Sequence, residues 1–152
     1  MSIVWEEYID PSVGDATQQD LLYLESALKV SLPEDYKNLI LDHQGKMPTP
    51  ETIESGKLAS SVFGPLFHVM KDATEAQELY SVIKKWEKWS DVYENIIPIA
   101  GTGGSGCFFA YDYRNCTENP PVVFVDVEED PDDEDAILFV TDSLSELIDS
   151  LS

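Results

Sequence analysis

The stretch IIPIAGTGGSGCFFAYDY, residues 96–113, constrains the fold more than any other, because four glycines fall within the six residues from Gly101 to Gly106. Apolar and aromatic text on both sides of such a reversal predicts two strands and a loop whose glycines supply positive φ angles. The spacing Gly101-x-Gly103-x-x-Gly106 is also that of a dinucleotide-binding turn. That turn must open a helix, so that helix N–H groups and dipole meet the pyrophosphate. Here the continuation CFFAYDY is uncapped and aromatic, so the turn joins two strands and no cofactor is expected. Asp126 lies 20 residues beyond Gly106, where a ribose-binding acid would be sought, but with 30 acidic residues a carboxylate falls near almost any spacing. Two further motifs fail on chemistry. Gly101-x-x-x-x-Gly106 is followed by Cys107-Phe108, where a phosphate loop needs Lys and a hydroxyl, and GGSGC lacks the last glycine of a nucleophile elbow. Ser105 reads as a turn residue.

The 152 residues suit one domain, and 43% hydrophobic residues suffice for a packed interior. Residues 1–16 read as an N-terminal arm and 17–152 as the domain. Thr17-x-x-Asp20 is a capping box ahead of the stripe Leu21, Leu24, Leu28. Ser31-x-x-Glu34 repeats the signal, with Pro33 in the first turn, Tyr36, Leu39, Ile40 and His43 on one face, and Gly45 to stop the helix. Residues 46–61 read as a surface loop, and VFGPLFHVM as a strand broken at Gly64-Pro65. A long helix is expected over 72–89, striped by Ala76, Leu79, Tyr80, Ile83 and Trp86, with Lys84, Lys85 and Lys88 in its last turns, where the dipole favours them. Strands follow at 96–100, 107–113, 122–128 and 137–140, then a helix capped by Asp142 or Ser143. The expectation is an α+β single domain with an antiparallel sheet of about four strands flanked by helices.

Charge narrows the function. Against 30 acids stand 9 basic residues, a net charge of -21, and the excess is uneven: residues 90–152 hold 15 acids against Arg114 alone. Such a field repels phosphate backbones and anionic lipid heads and attracts cationic partners, so nucleic acid and membrane are not expected as ligands. The opening MSIVWEEYID lacks a secretory pattern and no apolar run is long enough to span a bilayer, which predicts a cytoplasmic protein. Cys107 and Cys116 form no zinc pattern. Asp126, Glu128 and Asp130 alternate as in a calcium loop, but Pro131 stands where the sharp turn needs Gly and Ile137 where a bidentate Glu is needed, so no metal site is expected. His43 and His68 lack nucleophile or carboxylate constellations, so no catalytic residue is singled out. Trp5, Trp86 and Trp89 read as packing residues, Trp89 being a candidate interface anchor.

The ordered set LESALKVSLPEDYKNLILDHQGKMP, IIPIAGTGGSGCFFAYDYRN, PPVVFVDVEED and ILFVTDSLSELIDSL resembles the motifs of the SUKH superfamily over residues 17–151. Leu32, Pro33, Tyr36 and Gly45 match its first motif; Ile99, Gly106, Tyr111 and Asp112 match its second, and in the family these are mainly fold-defining. Cys107 and Phe108, the longer glycine turn and the dense acidic loop depart from the pattern. The group holds a fungal cell-wall-synthesis regulator and many bacterial immunity proteins that neutralise polymorphic toxins, often nucleases. The resemblance therefore implies a non-enzymatic immunity protein whose partner is the basic C-terminal toxin domain of a polymorphic toxin, or alternatively a scaffold for a signalling or cell-wall-synthesis protein. The docking surface is expected on Glu128, Glu129, Asp130, Asp132, Asp133, Glu134 and Asp135, with Tyr111, Asp112 and Tyr113 nearby. The oligomeric state is left open.

Overall fold

The computed structural model describes residues 3–9, 13–70, 80–103 and 106–152. Thr17 caps α1 (Gln18–Leu28) through the reciprocal pair expected of it: its Oγ1 accepts the Asp20 N–H at 3.2 Å, and Asp20 accepts the Thr17 N–H at 2.9 Å. Leu21, Leu24 and Leu28 are buried, and Lys29 closes the helix in the left-handed region. The second capping box does not form. α2 (Glu34–His43) starts two residues later than a Ser31 cap would place it, with extended Pro33 as its N-cap. A cap at Ser31 would make Leu32 helical, and the proline after Leu32 disfavours that. Instead, Glu25 accepts the Leu32 N–H at 2.8 Å and the Ser31 carbonyl accepts the Tyr113 hydroxyl at 2.7 Å.

Residues 46–61, expected as a loop, carry three strands. β1 (Val4–Glu7) pairs antiparallel with β2 (Lys46–Thr49), and β3 (Thr52–Ser55) forms a hairpin with β4 (Leu58–Val62). Both are two-stranded ribbons. Such ribbons tolerate the proline and glycine that masked them, because an edge position does not need every N–H. Ile53 and Leu58 anchor the hairpin in the core, and Ser152 exchanges two backbone hydrogen bonds with Thr52. The segment from Gly64 to His68 makes isolated bridges, Gly64 to Thr102, Leu66 to Ala100 and His68 to Ser81, in place of a continuous strand. Of the long helix expected at 72–89, the described part is α3 (Val82–Trp89), capped by Ser81; Ala76 and Leu79 lie outside the described residues, as does Ser105.

The main sheet is the antiparallel meander β5 (Ile96–Gly101), β6 (Phe108–Asp112), β7 (Val122–Val125) and β8 (Ile137–Thr141), in that spatial order. This is the α+β architecture read from the sequence. Every residue of β5 and β6 is buried, and Gly103, just past the end of β5, has φ +68°. Phe63, Phe67, Phe108, Phe109, Tyr36 and Tyr111 fill the interior between sheet and helices. α4 (Leu144–Asp149), capped by Ser143, closes the fold against β8.

Candidate functional site

The connection from β7 to β8 carries the acidic run. Its backbone is fixed by its own side chains: Asp126, Asp130 and Asp133 accept the N–H groups of Glu128, Asp132 and Asp135 at 3.0, 3.0 and 2.9 Å. Each is a turn in which a carboxylate mimics a backbone carbonyl. Backbone bonds from Glu129 to Asp126, Asp133 to Asp130 and Ala136 to Asp133 tighten the same three turns. Residues 128–135 are all exposed. Among the described residues one cation reaches them: Lys57, from the β3–β4 turn, lies 3.6 Å from Asp135 and 4.0 Å from Glu134. At such exposure those pairs are worth at most about 1 kcal/mol. The result is an ordered ridge of negative charge, flanked by the glycine turn, where the Cys107 thiol meets Asp126 at 3.4 Å.

Tyr111, Asp112 and Tyr113 do not join this ridge. In the observed register Phe108 stands opposite Val125, where the acidic loop departs, and Tyr111 opposite Val122. Three residues at about 3.4 Å each put Tyr111 roughly 10 Å away, toward the other end of the sheet. All three are buried. Tyr111 packs edge-on against Tyr36 and Tyr113 at 5.6 and 6.3 Å. Asp112 is gripped by Arg114 through Nε at 2.9 Å and Nη2 at 2.8 Å. Burial works against its charge, but the Arg114 bonds outweigh it and hold the carboxyl below the usual carboxylate range. Tyr113, bonded to Ser31, has its phenol pushed up by burial.

The motif residues lie in the frame. Leu32 and Tyr36 are buried, and Gly45, at φ +77°, lies where an added Cβ would stand 2.7 Å from His68 Nε2. Gly106 borders the acidic loop at Val127. His43 stacks on Trp5 at 5.1 Å, and burial lowers its pKa. Trp89 packs on Tyr93 and Phe108. Among the described residues no group of three or more His, Cys, Asp or Glu is placed to hold a metal ion.

Sequence reasoning missed a second feature, at the Tyr111 end. The start of α2 (Glu34, Asp35), the β6–β7 connection (Asn119, Pro120) and the start of α4 (Asp142) enclose a cleft of about 250 Å³ with Tyr111 in its wall. Asp35 ties two walls together, accepting the N–H and Oγ of Ser145 at 3.0 and 2.9 Å. The Tyr111 hydroxyl is buried and has no hydrogen-bond partner among the described residues. A buried polar group left so costs about 1–3 kcal/mol. No local pattern marks this cleft, because its carboxylates come from segments more than a hundred residues apart.

A four-stranded meander with helices, an acidic ridge and an acid-rimmed cleft define a small α+β domain with two acidic features on its surface. The chain belongs to the SMI1 / KNR4 family (SUKH-1), whose model matches residues 15–150, as the ordered motifs led one to expect. Among curated proteins and among solved structures nothing matches it. Among the described residues no helix is long and apolar enough to cross a membrane.

Proposed function

We propose that this chain is a non-catalytic, cytoplasmic immunity protein that neutralises a basic toxin, the C-terminal domain of a polymorphic toxin and in particular a nuclease, by covering its active site. The observation that carries the reading is the ridge over residues 128–135, seven carboxylates held outward by turns of their own making. A nuclease must present a basic groove to hold phosphates. An acidic surface of fixed shape fills that groove as a decoy, and the complementary fields speed encounter and disfavour acidic partners. Membership of a family that includes immunity proteins supports the same reading.

The test is a rescue assay. The toxic tip encoded beside this chain's gene is expressed in cells with and without the chain. Survival only when the chain is present is the expected result. Cell death at equal expression, with the chain folded, would refute neutralisation and leave a regulatory scaffold as the reading to pursue.

A further inference from the structure

We propose that the cleft between the starts of α2 and α4 is a receptor for a single arginine side chain of the partner, separate from the acidic ridge. The proposal rests on the reading of this chain as a binder of basic protein, and names a second point of contact.

Two independent observations meet in the cleft. The first is its rim: Glu34, Asp35 and Asp142 supply carboxylates, and of these only Glu34 is ion-paired among the described residues, with Lys37 at 3.6 Å. The second is the Tyr111 hydroxyl, on a side chain with 0% of its surface exposed and no partner of its own. Tyr111 forms part of the wall of the same cleft that Asp35 lines. An acid cluster alone would be a solvated face. A desolvated hydroxyl waiting beneath it points to a ligand that reaches inside.

The chemistry selects the ligand. Three carboxylates on a chain of net charge -21 exclude an anion. Pro120 and Leu144 are buried and give the cleft apolar walls, which suit a flat, weakly hydrated group better than a compact ammonium. A guanidinium carries five N–H donors in a plane and no acceptor. It can donate to Asp142, to Asp35 Oδ1, which keeps one lone pair beyond the Tyr36 N–H it accepts, and to the Tyr111 oxygen, which has no partner among the described residues.

The experiment titrates the isotopically labelled full chain with N-acetylarginine methylamide, with its uncharged citrulline counterpart and with the lysine counterpart, following backbone amide shifts. Saturating shifts at Glu34, Asp35, Asn119, Asp142 and Ser143 are expected with the arginine probe, weaker ones with lysine, and none with citrulline. Tyr111→Phe, which keeps the ring, should weaken the probe about tenfold while leaving thermal stability unchanged or higher. A structural tyrosine would show the opposite pattern. Asp142→Asn, on the exposed rim, should also weaken it. Three outcomes would overturn the assignment: shifts that grow linearly and spread over residues 128–135, no shifts at all, which would leave the hydroxyl to water, or a Tyr111→Phe chain that binds as the parent does. A chain that rescues cells but ignores the probe sinks the cleft and spares neutralisation. A chain that takes the probe at the cleft yet fails to rescue does the reverse.

Discussion

Replacing Gly45 by Ala tests the frame beneath both surfaces, and the structure sets the size of the effect. Gly45 stands at φ +77°, and its added Cβ would lie 2.7 Å from His68 Nε2, 3.2 Å from His68 Cδ2 and 3.7 Å from Ile9 Cβ. The left-handed conformation alone costs an alanine about 1–2 kcal/mol. His68 is buried and its backbone is bonded to Tyr80 and Val82, so the contact is relieved only by displacing a packed ring. Overpacking of that kind adds about 1–3 kcal/mol. The sum, about 2–5 kcal/mol, should lower Tm by roughly 5–15 °C in a chain of this size. Gly103→Ala is the control, because Gly103 has φ +68° but nothing within 4 Å of its added Cβ, so only the backbone cost applies. Thermal denaturation of the two variants followed by circular dichroism should show Gly45→Ala melting well below Gly103→Ala. Equal melting points would refute the steric argument and reduce Gly45 to a helix stop like any other.

Two other perturbations address charge. Converting Asp132, Asp133 and Asp135 to Asn and Glu134 to Gln keeps the acceptor that Asp133 offers Asp135, so the turns persist while four charges go. Stopped-flow capture of the toxin should slow at least about tenfold and lose much of its salt dependence; unchanged kinetics would remove the ridge from the mechanism. Asp112→Asn should destabilise at neutral pH by removing the charged bonds to Arg114. The folded carboxyl titrates below its ordinary value, so its stabilisation is complete above the unfolded pKa and disappears as pH falls through the folded one. Urea denaturation should therefore show parent and variant converging as pH falls through the lowered pKa of the folded Asp112 carboxyl, and a gap of constant size from neutral to acid would count against the pairing.

Local grammar made part of this protein legible. Thr17 announced its helix and Asp142-Ser143 the last one, where Ser143 proves to be the cap, because a cap acts within one turn; the glycine turn announced a hairpin because aromatic strand text follows it. The Ser31 signal misled because the constraint from Pro33 on Leu32 outranks a capping side chain. Residues 46–61 were illegible because ribbon strands owe their existence to partners elsewhere, Val4–Glu7 for β2 and the Ser55 bond to the Val140 carbonyl for the hairpin. The acidic ridge was visible as composition. Its neighbours were not, since pairing partners were inferred without a register, and a strand of five residues is long enough for Tyr111 to end up far from Glu128. The cleft needed the fold itself.

The self-made turns of the β7–β8 connection have a thermodynamic corollary. Seven like charges within eight residues would otherwise leave a swollen, fluctuating segment that any partner would have to freeze on contact. Because Asp126, Asp130 and Asp133 pin their own backbone, that loss of freedom accompanies folding and is absent from association. Any partner that docks there would meet a stiff template of fixed spacing, so that shape as well as sign would set its fit.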